Sequence, residues 1–165
     1  MRHLTLVATV CLAMGMTSAA QAQATDPQVV APINKFLDAF NKGDMAGAAA
    51  AHTTADLVII DEVPPYIWRG AQAFQNWGAA LDADLKKNGM TDAKVTLKAP
   101  TRTEISGTDA YVVVPAVFTF MLKGVAMHEA AQMTFVLKKE TSGWLIHGWA
   151  WTGPRPQKAA APAKK

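Results

Sequence analysis

The 165 residues, half of them apolar, suit one domain with a packed core. Of 16 basic side chains, Arg2 lies at the start and Arg155, Lys158, Lys164 and Lys165 at the far end, so residues 25–154 hold 11 basic against 13 acidic side chains. That distribution excludes a nucleic-acid-binding face, and the single cysteine, Cys11, falls in a segment expected to be removed, which excludes disulfides and thiol chemistry in the mature chain.

Met1-Arg2-His3 is a short basic start, and Leu4–Met16 is an apolar run too short to span a bilayer comfortably. Ala20-Gln21-Ala22 and Ala22-Gln23-Ala24 are both A-x-A patterns, so residues 1–24 read as a secretory signal peptide cut after Ala22 or Ala24. The expected location is secreted, most specifically periplasmic, with no stable membrane anchor. Residues 25–153 form the domain, and residues 154–165, rich in Pro, Ala and Lys, are expected to be a disordered basic tail.

Val29, Val30, Ile33, Phe36, Leu37 and Phe40 recur at helical spacing and predict a first helix over Pro27–Asn41, capped by Asp26. Asp44 caps a short Ala-rich helix over Met45–His52. Leu57–Ile60 reads as a buried strand ending in Asp61 and Glu62, with Tyr66–Trp68 as a second short strand beyond Pro64-Pro65. Ala71–Lys87 carries Phe74, Trp77, Leu81 and Leu85 at helical spacing and predicts the third helix.

From Asp92 the period changes to two. A strand ending near Glu104-Ile105 is followed by long strands over Ala110–Leu122, Val125–Lys138 and Trp144–Gly153, joined by short turns as an antiparallel meander. Pro115 predicts a bulge or bend. The expected fold class is α+β: a curved antiparallel sheet wrapped as a cone around three N-terminal helices. Tyr111, Val113 and Val117 leave an apolar outer face, which predicts a homodimer through the sheet.

Acids at the end of an apolar strand, followed by aromatics, mark the mouth of a pocket. Strict alternation sets Leu145, His147, Trp149 and Trp151 on one face of the last strand, an aromatic wall for a planar ligand or, alternatively, core or interface. Glu129 shares a face with Met133 and other apolar residues, leaning toward the pocket. Phe36, Phe40, Tyr66, Trp68 and Trp77 complete the candidate lining. No metal-ligand spacing, phosphate loop, nucleophile motif or dinucleotide fingerprint occurs, so neither a metal nor another cofactor is expected.

The run FLDAFNKGDMAGAAAAHTTADLVIIDEVPPYIWRGAQAFQNW resembles the nuclear transport factor 2-like superfamily, particularly its SnoaL-like and ketosteroid-isomerase-like branches, and Trp144–Thr152 resembles its final strand. The resemblance implies the cone fold. It sets Asp61 where ketosteroid isomerases carry the proton-shuttling carboxylate. Burial beside an apolar cavity would raise its pKa toward that of a general base; the other reading is that Asp61 caps the Pro64-Pro65 segment. Two isomerase positions depart from the pattern: the oxyanion tyrosine aligns with Phe36, and the protonated acid falls around Gln132–Thr134. One such donor is worth about 3 kcal/mol in the transition state. Three functions follow from the sequence: a pocket for a small apolar or aromatic molecule; an isomerase, cyclase or dehydratase with Asp61 as base and His147 or Tyr66 as helper; or a non-catalytic assembly module.

Overall fold

The computed structural model describes residues 26–160; the signal peptide expected over 1–24 lies outside them. Among the described residues the chain forms three helices and eight strands. Helix α1 spans Pro27–Asn41, its first turn held by Asp26 Oδ1 accepting the Gln28 amide at 2.9 Å. Helix α2 is Met45–Ala49, capped by Asp44 on the Gly47 amide at 2.8 Å. It ends earlier than periodicity predicts. Residues 51–53 leave the helix to bond the backbone of Ile146, so tertiary pairing overrides local propensity there.

Strands β1 (Val58–Ile60) and β2 (Ile67–Arg69) form a short hairpin, and α3 covers Ala73–Asn88. The remaining strands are β3 (Met90–Leu97), β4 (Arg102–Ser106), β5 (Asp109–Leu122), β6 (Val125–Glu140), β7 (Gly143–Thr152) and β8 (Gln157–Lys158). The main order is β2-β1-β7-β6-β5-β3, with β4 on β5 and β8 on β6. Every pair is antiparallel except β1–β7, which joins two ends of the chain in parallel. At that junction a Cβ on Gly148 would meet the Val58 carbonyl at 3.0 Å, so a residue without a side chain permits the close approach.

Three sequence expectations are corrected. The single strand expected to end near Glu104-Ile105 is two, β3 and β4, separated by residues 98–101. This break also explains Pro115, which produces no bulge in the continuous β5–β6 ladder. Its carbonyl accepts from Lys98 N at 2.9 Å, so its missing N–H faces the gap between β3 and β4, where no ladder bond is lost. The expectation of a tail without structure from residue 154 is corrected at Gln157–Lys158, which pair with His128 and Met127 of β6.

The core lies between the helices and the concave face of the sheet. Val29, Ile33 and Phe36 of α1 are fully buried with Ile59, Val112, Val114, Phe135, Leu137 and Ile146. The edge strand β3 is tied to α1 by one side chain. Asn41 Nδ2 donates to the Val95 carbonyl at 2.7 Å while Asn41 Oδ1 accepts the Val95 amide at 2.9 Å, so a single amide occupies both backbone groups as a neighbouring strand would. Between this core and the strand ends a cavity remains open.

Candidate functional site

The alternation that buries Ile59 points Asp61, two residues later, into the open end of the cone. A cavity of about 240 Å³ lies there. Its walls are Phe36, Leu37 and Phe40 of α1; Trp77, Leu81, Asp84 and Leu85 of α3; Met90, Ala93 and Val95 of β3; Phe118 and Phe120 of β5; Glu129 and Met133 of β6; and Trp149 and Trp151 of β7. Asp61, Glu62, Val63 and Pro156 rim it.

Two carboxylates are each held by an indole. Trp77 Nε1 donates to Asp61 Oδ2 at 2.6 Å, and Trp151 Nε1 donates to Glu129 Oε1 at 2.8 Å. Asp61 Oδ1 accepts the Glu62 amide at 2.6 Å. Glu129 is 2% exposed, and a Cβ on Gly153 would overlap its Oε1, so the strand end is shaped around this side chain. Trp149 stands against Trp77, ring centres 5.0 Å apart and nearly perpendicular, and 5.7 Å from Phe36.

Burial pushes the Asp61 carboxyl up, with the Asp84 charge adding to it and the Trp77 and Glu62 N–H groups opposing. Burial likewise raises Glu129, against the indole bond from Trp151. Glu62, exposed at the cavity mouth, is pushed up to about 7 by desolvation, then by the charges of Glu129 and Asp61. Trp151 keeps Glu129 Oε1 an acceptor, while Glu62 is exposed at the cavity mouth. Asp61, Glu62 and Glu129, all with raised proton affinity, thus line one largely aromatic cavity.

Of the residues picked from sequence, Asp61, Phe36, Phe40, Trp77, Glu129, Met133, Trp149 and Trp151 line this cavity. Three do not. Tyr66 is 58% exposed, turned outward at a positive φ of 74° before β2. Trp68 pairs with Ile59 and is buried in the core, one step deeper than Asp61. His147 bonds Thr53 Oγ1 through Nδ1 at 3.2 Å and is absent from the cavity wall. The reason is a bulge: Val136 pairs with Gly148 and Leu137 with Ile146, leaving His147 as the extra residue. The bulge breaks the strict alternation, so Trp144 and Ile146 are buried on one side of it and Trp149 is buried on the other. Glu62 lines the cavity as the sequence placed it, at the mouth, whereas Asp84, Phe118 and Phe120 are lining residues the sequence selection missed. Asp84 was legible, since it follows Trp77 by seven positions on the stripe that carries Leu81 and Leu85. Among the described residues no group of three or more His, Cys, Asp or Glu side chains is arranged to hold a metal, and no helix is long and apolar enough to cross a membrane.

No model of a known protein family matches the sequence, and no curated protein sequence matches it. The fold does match solved structures. A nuclear transport factor 2-like superfamily protein from Salmonella enterica serovar Typhimurium superposes with a TM-score of 0.63 at 18% identity, covering 84% of this chain and 95% of that one. A ketosteroid isomerase-like protein from Erwinia carotovora atroseptica gives 0.60 at 23% identity over 78% and 95% of the two chains. A hexachlorocyclohexane dehydrochlorinase gives 0.60 at 17% identity over 81% and 93%. The chain has the nuclear transport factor 2-like cone fold.

The Glu62 carboxyl provides a test of the site's electrostatics. Its folded pKa exceeds its unfolded one, so the native state binds more protons and stability falls as pH rises from about 4.5 to about 7. His52, buried and lowered to about 4, acts oppositely below its unfolded value of 6.5. The comparison of E62Q with wild type removes the His52 contribution: urea denaturation is expected to show E62Q gaining stability relative to wild type across pH 4.5–7, and a constant difference contradicts the assignment.

Proposed function

We propose that this protein binds a small, largely apolar or aromatic molecule in the cone and moves a proton on it. The observation that carries this reading is that Asp61, Glu62 and Glu129 line one largely aromatic cavity, with Asp61 held by the Trp77 indole. Asp61, ionised, takes a proton from a carbon next to a carbonyl. The proton held by Glu62 is donated as a hydrogen bond to the oxygen on which negative charge develops. This supplies an acid in place of the one that the isomerase resemblance puts around Gln132–Thr134, where this sequence has none. Phe36 supplies no hydroxyl, so the site has one such donor where the isomerase pattern has two. Two structures of similar fold are named as ketosteroid isomerase-like and as a dehydrochlorinase, which is consistent with removing hydrogen from carbon.

Deuterium wash-in from D2O, followed by proton NMR over a panel of apolar cyclic ketones, tests the reading. The wild type is expected to speed exchange, and D61N to lose about 100-fold or more. The wild-type rate is expected to fall as pH rises through about 7, where Glu62 loses its proton. No acceleration over buffer, or equal acceleration by D61N, contradicts it.

Export and dimerisation belong to the same proposal. Arg2, the apolar run Leu4–Met16 and the A-x-A patterns support cleavage and a periplasmic location. On the convex face of the sheet, Tyr111 pairs with Val136, which are 37% and 42% exposed, and Val117 pairs with Ala130, which supports association through the sheet. Native mass spectrometry of protein recovered from the periplasm of an expressing bacterium reads both. A dimer of chains beginning at Gln23 or Thr25 is expected, and an uncleaved monomer contradicts both.

A further inference from the structure

The charge of the cavity wall is one-sided. Asp61, Glu62, Asp84 and Glu129 come from three different segments and line one void, and among the described residues no lysine, arginine or histidine lines it. The ion pairs among the described residues, Lys86 with Asp82 and Arg102 with Glu104, involve none of the four. The donors to Asp61 and Glu129 are backbone or indole N–H groups, which stabilise a carboxylate without neutralising it. Carboxylates gathered in an apolar cavity repel one another and favour a ligand that brings positive charge.

The remaining wall is aromatic. A metal ion would want several oxygens in a close, regular shell, and the described carboxylates do not form such a group. An organic ammonium has different needs: a diffuse charge that gains from ring faces as well as from carboxylates, and an apolar body to bury. Trp151, half-buried in the cavity wall, offers such a face, backed by the packed rings of Trp77 and Trp149. One further feature belongs to the same wall. Trp149 is 4% exposed and its Nε1 is buried with no partner, an orphaned donor that an oxygen or π system on a ligand would satisfy.

We propose that the molecule the cavity takes is a small organic cation, an ammonium carried on an aromatic or alicyclic body, with its charged end among Asp61, Glu62, Asp84 and Glu129 and its body on the tryptophan wall. The proposal rests on the reading of the cavity as a small-molecule site and adds the charge class of the molecule. Anionic ligands, including carboxylates and phosphates, are rejected by the same wall.

Quenching of tryptophan fluorescence in the full-length mature protein, at low salt and mildly alkaline pH, tests it with three probes of one shape class. These are benzyltrimethylammonium, its neutral isostere neopentylbenzene, and phenylacetate. The ammonium is expected to bind about tenfold or more tightly than the neutral isostere, and phenylacetate not at all. E129Q and D84N are each expected to shrink that preference. D84N alters a half-buried helix side chain outside the core cluster, so it keeps the test decisive if E129Q fails to fold. Equal or tighter binding of the neutral isostere overturns the cation proposal and leaves the small-molecule reading standing. Binding of none of the probes overturns both. A preference unchanged in both variants places the cation elsewhere on the protein and overturns the proposal.

Discussion

Two carboxylates sit in an aromatic cavity, and each stays there because an indole N–H points at it: Trp77 at Asp61 and Trp151 at Glu129. An unpaired buried charge is costly, and a charge-assisted hydrogen bond offsets part of that cost without adding a neutralising cation. The two indoles come from opposite walls of the cone, α3 and β7. The helix layer and the sheet are therefore tied to the same site, and the raised proton affinities of Asp61 and Glu129 follow from how incompletely the bonds offset burial.

The geometry that brings these groups together depends on departures from regular structure. The β7 bulge at His147 turns Trp149 and Trp151 toward the cavity while Trp144 and Ile146 remain in the core. Gly148, beside the bulge, lets β1 approach in parallel, and that pairing sets the end of β1 from which Asp61 projects. Gly153 clears room for Glu129. Pro156 and the short β8 then carry the chain along the rim, so the segment after β7 belongs to the site's border.

The helices and long strands were legible in the sequence because their apolar periods are long and their caps, Asp26, Asp44 and Gly43, have one evident role each. The resemblance over residues 36–77 added the cone and singled out Asp61. Glu129 was readable from the apolar company of its strand face. Tyr66, Trp68 and His147 were misplaced for a common reason: alternation was extrapolated through residues whose backbone interrupts it, the positive φ at Tyr66 and the extra residue at His147. Glu62 was placed at the pocket mouth with Asp61 but given no role, because its charge coupling to Glu129, more than sixty positions away, leaves no trace in one-dimensional spacing.

A pocket whose acids are poorly compensated differs from a buried polar network that merely stabilises a fold, because full compensation would leave a carboxylate at or below its ordinary pKa. The carbon-13 carboxyl titration of Asp61 in the ligand-free mature protein distinguishes the two directly. A midpoint above the ordinary aspartate value of about 3.9 is the result expected of a base poised in an apolar cavity. A midpoint at or below it would mean that the Trp77 and Glu62 N–H groups outweigh burial, and would contradict the reading of Asp61 as the proton acceptor of this site.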